Sequence, residues 1–356
     1  MMLDRPLTDG AIALLNLDAQ IDALELEGRF THATVEARAG LVELIVLRGL
    51  VLGQIADYDR AEEIAEQLVR DAPTDATAWV ARARTRAVFH RFNDALADLN
   101  RAERLSLDVE TANGERAAIF QALGRYDEAL ALRYDAVVRR ESFENVAALV
   151  GLHAERSEMD AAERRYAQSL NLHRGVSPFP LALLDFQLGL MWMDEGRPED
   201  ARRSFEAAQR RVPAYAPAQG HLAEVEAELG ETNSALVRLY SLAASSDDPD
   251  YAAQLAHILG EAGWGDESRH WGRLAAARYE ELLASRPEAF ADHAAEFWLA
   301  AGADPDKALR WAKMNLDVRD TPRSRSLLAQ AVAKCGTQQP SRKGPAPCSS
   351  ARWSTS

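Results

Sequence analysis

The chain has 356 residues, 41 Lys and Arg against 55 Asp and Glu, and a formal charge of −14. That length suits two average domains or one elongated repeat array. The acidic balance argues against nucleic acid, since phosphate binding draws on clustered Lys and Arg, and no apolar run approaches the roughly 20 residues that cross a bilayer.

Residues 1–41 open with an apolar helical pattern over 9–27 (Ile12, Leu15, Ile21, Leu24), expected to form an N-terminal cap. The start has Asp4 and Asp9 and no apolar signal-peptide core, so a cytoplasmic location is expected. One phrase then recurs: a small residue, an aromatic, two polar residues and Ala. It reads Ala56-Asp57-Tyr58-Asp59-Arg60-Ala61, Arg91-Phe92-Asn93-Asp94-Ala95, Gly124-Arg125-Tyr126-Asp127-Glu128-Ala129 and Gly196-Arg197-Pro198-Glu199-Asp200-Ala201. Weaker copies end at Ala162, Ala235, Ser268 and Ala308. Most steps are 33 or 34 residues; two are 39 and 40.

Each unit reads as two helices. In 182–215, Leu188, Gly189 and Trp192 share a helical face, Gly196 and Pro198 break it, and Ala201, Phe205 and Ala208 resume the period until Pro213. Gly189 and Ala201 permit close backbone approach beside Trp192 and Phe205. The loop His173 to Pro180 divides four repeats in 42–176 from four in 182–320, with 177–181 as its end. The 40-residue step reads as a lengthened second helix over Arg273–Pro287. Residues 321–334 read as the first helix of a ninth repeat, with Leu327, Leu328, Ala331 and Val332 as its apolar face. Residues 335–356 lose the period, carry both cysteines (Cys335, Cys348), and are expected to be disordered. So abrupt a change inside a repeat is what a frameshift or an artificial tail produces. The Ala-, Arg- and Leu-rich, Lys-poor composition suggests a bacterial source.

The pattern resembles the tetratricopeptide repeat (TPR) family over roughly residues 42–320. Residues 182–215 carry its Leu-Gly, aromatic, Gly, Ala, Phe, Ala and Pro positions, and Trp79, Phe92, Ala95, Leu99 and Ala102 match in 76–109. The resemblance implies an all-α, right-handed solenoid of about eight helix-turn-helix repeats behind a capping helix. It also implies a non-catalytic scaffold or adaptor that holds a peptide or helix in a concave groove lined by the first helices. The family's inward offsets place Gln54, Arg84, Leu183, Phe186, Leu190, Met193 and Glu224 in that groove. Leu183, Phe186, Leu190 and Met193 would make an apolar patch for a partner; the plainer alternative is that they are core. The chaperone-tail clamp of the family is not expected, because its Lys and Asn positions hold Val46, Leu50, Ala81, Thr111 and Glu115.

A second reading uses His257, His293 and Glu261 as ligands for a metal or small molecule, although no tight ligand spacing supports it. A third is self-assembly through the C-terminal helix, on a Leu327/Leu328 face. Arg48, Arg82 and Arg116 recur at one repeat offset and are expected to pair with neighbouring carboxylates, Arg82 with Asp98. Gly263-Trp264-Gly265 lacks the third glycine and the strand of a dinucleotide loop, and no phosphate loop, zinc-protease or serine-hydrolase motif occurs. No enzyme activity and no cofactor are expected.

Overall fold

The computed structural model describes residues 7–30 and 33–338. Helix α1 (Gly10–Phe30) precedes eight antiparallel pairs. These are α2 (Val35–Leu52) with α3 (Ile55–Asp71), α4 (Ala76–Val88) with α5 (Phe92–Arg104), and α6 (Val109–Ala122) with α7 (Tyr126–Arg139). They continue with α8 (Phe143–Glu155) and α9 (Met159–Leu172), α10 (Phe179–Asp194) and α11 (Pro198–Arg211), and α12 (Ala216–Glu228) and α13 (Thr232–Ser245). The last pairs are α14 (Pro249–Glu261) with α15 (Gly265–Ser285) and α16 (Pro287–Leu299) with α17 (Pro305–Val318); α18 (Pro322–Gln338) ends the array. No strand occurs among the described residues. The first pair starts at Val35, ahead of the boundary expected at 42. At the other end α18 runs past Lys334 to Gln338, so its last turn is helical where disorder was expected; 339–356 lie outside the described residues.

Three local causes repeat. Each pair turns through one left-handed residue, a glycine in five repeats and His90, Ser157 and Ala303 in the others. The recurring alanines Ala61, Ala95, Ala129, Ala162, Ala201, Ala235 and Ala308 are fully buried, because a larger side chain there would push the two helices apart. Gly189 shows the tolerance best: a Cβ on it would lie 2.4 Å from the Phe205 ring. The arginine column then ties neighbouring helices, within the pair at Arg48 and Arg82 and back to the preceding pair at Arg116. Arg48 bonds Asp57 at 2.5 and 2.8 Å, Arg82 bonds Asp98 at 2.8 and 2.9 Å, and Arg116 grips Glu103 at 2.5 Å.

The solenoid winds tightly enough for successive superhelical turns to touch. The α2–α3 turn sits on the loop between α13 and α14: Gln54 Nε2 donates to the Ser245 carbonyl at 2.6 Å, and the Ser246 hydroxyl donates to the Gly53 carbonyl. The α4–α5 turn meets the loop between α15 and α16, where His90 Nδ1 donates to the Glu288 carbonyl at 3.0 Å. The α6–α7 turn meets the loop after α17: Arg319 Nε donates to the Ala122 carbonyl at 3.2 Å. There Gly124 lies so close to the Asp320 carbonyl that any Cβ would collide with it. Arg286 clamps the same seam, bonding Asp59 and Glu62 of α3 at 2.7 Å each and lying 3.6 Å over the Phe89 ring.

One seam contact completes a helix. The first backbone N–H groups of a helix have no partner inside it, and Gln54, at the N-cap of α3, makes no side-chain cap. Asp247 supplies it from the next turn: Ile55 N donates to Oδ1 at 2.5 Å and Ala56 N to Oδ2 at 2.9 Å. The carboxylate also faces the positive end of the α3 dipole.

The same winding decides where the apolar residues go. One core cluster joins Ile21, Val42, Ile45 and Leu68 of the first turn to Phe179, Val212 and Tyr215 of the second, with Leu183 and Phe186 packed against it. We expect Asp247→Ala to lower unfolding stability by about 1 kcal/mol, the usual worth of a helix cap, in a denaturant titration. A variant as stable as the wild type would show that the seam does not hold α3.

Candidate binding cavity

The inner helices of the second half, α10, α12, α14, α16 and α18, enclose a cavity of about 410 Å³. Leu190, Met193, Ala253, Phe297 and Ala300 give it apolar wall; Glu224, Glu296, Asp194 and Asp250 give it carboxylates; His293 and Arg323 supply the opposite sign, and His221 and His257 stand beside them. Burial raises the Asp194 carboxyl above its ordinary value. Arg323 bonds Glu296 at 2.8 Å across α16 and α18 and so spans the far wall.

The groove residues read from sequence divide. Leu190, Met193 and Glu224 reach the cavity. Leu183 and Phe186 do not remain an open patch: Phe186 packs against Phe205, Tyr215 and His221 with ring centroids 5.3–5.7 Å apart, inside the core between turns. Gln54 is a seam residue, held by the Ser245 carbonyl, and not a groove residue. Arg84 lies between inner helices, joined to Glu43 of α2 and to Glu115 of α6 at 2.7 Å. The expected Leu327/Leu328 face also divides: Leu327 is 3% exposed, packed with α16 and α17, so it is closed to a partner.

The proposed metal ligands do not converge. His257 faces Glu261 of its own helix at 3.6 Å, while His293 faces Asp250 at 3.7 Å. Among the described residues no group of three His, Cys, Asp or Glu is placed to hold a metal ion. Glu261 is absent from the cavity lining, whereas His221 stands on it together with Asp250, which the sequence did not single out as facing His293. The signal for Asp250 was available, since it occupies an inward offset of its repeat.

His293 departs strongly from the ordinary histidine value. Burial works against its charge, but the carboxylates of Asp292 and Asp250 outweigh it and push the imidazole up to about 10. Asp292, itself buried, is held down to about 2 by His293, His90, Arg319 and Arg323. Asp292 also accepts from Arg319 at 3.3 Å, and Arg319 reaches the seam. His90 goes the other way: burial holds it below the ordinary histidine value. The cavity and the seam therefore share one charge network.

The helix pairs and their winding give the chain the fold of a TPR-type solenoid, a helical-repeat wall around an inner channel. No family model matches the sequence, and no curated protein matches it. Solved structures do match in fold. The human IFIT1 dimer with m7Gppp-AAAA aligns at 14% identity over 90% of this chain and 76% of that one, with a TM-score of 0.56. The human IFIT1 dimer with PPP-AAAA aligns at 14% over 85% and 77%, with a TM-score of 0.53. The APC/C hetero-tetramer Cut9–Hcn1 aligns at 15% over 89% and 55%, with a TM-score of 0.47. At such identities the likeness is one of fold. Among the described residues no helix is long and apolar enough to cross a membrane.

A histidine whose folded value is raised stabilises the fold fully below its unfolded value near 6.5 and loses that contribution as pH rises through the folded value. We therefore expect stability to decline between about pH 6.5 and about pH 10 through His293. His293→Gln should flatten that decline in denaturant titrations across the range. An unchanged slope would remove His293 from the network.

Proposed function

We propose that the protein is a non-catalytic scaffold that holds an extended peptide segment in its inner channel, at the cavity between α10 and α18. The observation that carries this reading is the division of that cavity: Leu190 and Met193 offer apolar surface, while the carboxylates of Glu224, Glu296 and Asp194 stand on the same wall. An apolar side chain flanked by Lys or Arg complements such a wall. Met suits it because its unbranched thioether adapts to different shapes. Because the turns close on each other, the segment enters along the channel axis instead of lying across an open groove. A solenoid wall presents many side chains to an extended ligand, which suits scaffolding better than catalysis.

The IFIT1 structures hold m7Gppp-AAAA or PPP-AAAA, and a phosphate-bearing oligonucleotide could be read into the same fold here. The charge disfavours it: the chain carries −14, and the cavity's carboxylates would face a phosphate backbone. A protein partner fits better, and with it an adaptor role in the cytoplasm.

Panning a display library of extended peptides against the purified chain tests the reading. We expect enrichment of segments pairing an apolar residue with Lys or Arg. Glu224→Lys should weaken the best of them about tenfold, roughly 1.4 kcal/mol, by fluorescence anisotropy. Enrichment of acidic segments, or none, would contradict it.

A further inference from the structure

One second helix of the array is longer than its counterparts, and its extra turns build a pocket. Helix α15 has 21 residues, where α7, α9, α11, α13 and α17 have 14. A helix of that ordinary length starting at Gly265 would stop at Arg278. Glu280, Leu283 and Ala284 lie beyond that point. All three line a cavity of about 270 Å³, together with Trp298 of α16 and Lys307, Arg310 and Trp311 of α17. None of these residues lines the channel cavity, so the site is independent of what the channel holds.

The walls are aromatic and well fixed. Trp298 and Trp311 are 6% and 9% exposed and share one core cluster with Leu283. Gly302 seats the benzo edge of Trp298, since a Cβ there would lie 2.5 Å from Cε3. The indole Nε1–H stands on the other edge, buried and with no acceptor among the described residues. A buried donor left unpaired is unfavourable, and such groups in folded proteins usually meet an acceptor.

The charge of the pocket selects the sign of its ligand. The Lys307 ammonium lies 4.0 Å over the Trp298 ring, and the Arg310 guanidinium lies 4.6 Å over the Trp311 ring. Each ring already has a cation on one face, so a cationic ligand would meet repulsion. Lys307 is matched by Glu280 at 2.7 Å. Arg310 is exposed and has no carboxylate partner among the described residues. The pocket thus carries an unmatched positive charge on a chain of net charge −14. A guanidinium meets a carboxylate through paired, coplanar N–H donors. The cavity is just under the roughly 300 Å³ at which pockets for drug-sized ligands begin, which limits the ligand to one ring or two fused rings.

We propose that this pocket binds a small planar carboxylate, an aromatic acid whose ring lies against Trp311 and Leu283 and whose carboxylate is held by Arg310 and Lys307 near the Trp298 N–H. The apolar wall takes the ring, and the donors take the oxygens.

Fluorine NMR of para-fluorobenzoate with the full chain tests it, with para-fluorobenzamide as the uncharged counterpart. The wild type should shift and broaden the benzoate signal saturably at low-millimolar concentration or below, and should bind the amide about tenfold more weakly. Arg310→Gln should weaken benzoate by about the same factor. Ala284→Phe, which fills the cavity, should abolish binding. Both positions are exposed, and circular dichroism checks that each variant folds. In a proton–nitrogen correlation spectrum one tryptophan indole signal should move with added benzoate in the wild type and stay still in Ala284→Phe. No binding at several millimolar overturns the proposal. So does equal binding of acid and amide, or either variant binding benzoate as well as the wild type does.

Discussion

The structure depends on the contact between successive superhelical turns. A repeat array in which each unit touches only its neighbours can vary its pitch, because nothing distant fixes it. Here residues 191 to 198 positions apart are hydrogen-bonded at three consecutive places along the seam. Each bond is ordinary in strength. Together they remove the freedom to open, because one turn cannot slide without breaking the others. Asp247 makes the dependence explicit, since α3 lacks a cap of its own and takes one from the second turn.

Closure changes the chemistry of the inner surface. A groove open to water would leave Phe186 and Leu183 as an adhesive patch. Closed, the same residues fill the space between α2, α10 and α12 and stabilise the winding. What stays available is the second-half cavity, where the walls diverge enough for Leu190, Met193 and Glu224 to face space. Its charge network reaches the seam through Asp292 and Arg319, so a ligand that reorganises His293 would act on residues that hold the turns together.

Much of the repeat was legible in the sequence because its causes are local. A buried Ala, a left-handed residue between helices and an inner-helix Arg all recur at fixed spacing. The arginine column was legible that way, and Arg82 does meet Asp98, although the partners lie 9, 16 and 13 positions from Arg48, Arg82 and Arg116. The seam was not legible, because it depends on small rotations between repeats summed over almost two hundred residues. Nothing near Gln54 marks it as facing Ser245, and nothing near Asp247 marks it as a cap for Ile55. The misplaced groove residues share that origin: family offsets give the side of a helix, while the pitch decides whether that side meets a cavity or another turn.

Native-state hydrogen exchange at the start of α3 tests closure most directly. The amides of Ile55 and Ala56 have no acceptor within their own helix, so in an open solenoid they exchange at nearly the rate of a free chain. With the turns locked and Asp247 in place, both should be protected to a degree comparable with the interior of α3. Fast exchange at both positions in the wild type, beside a protected helix interior, would mean that the turns do not touch in solution and that the channel is an open groove.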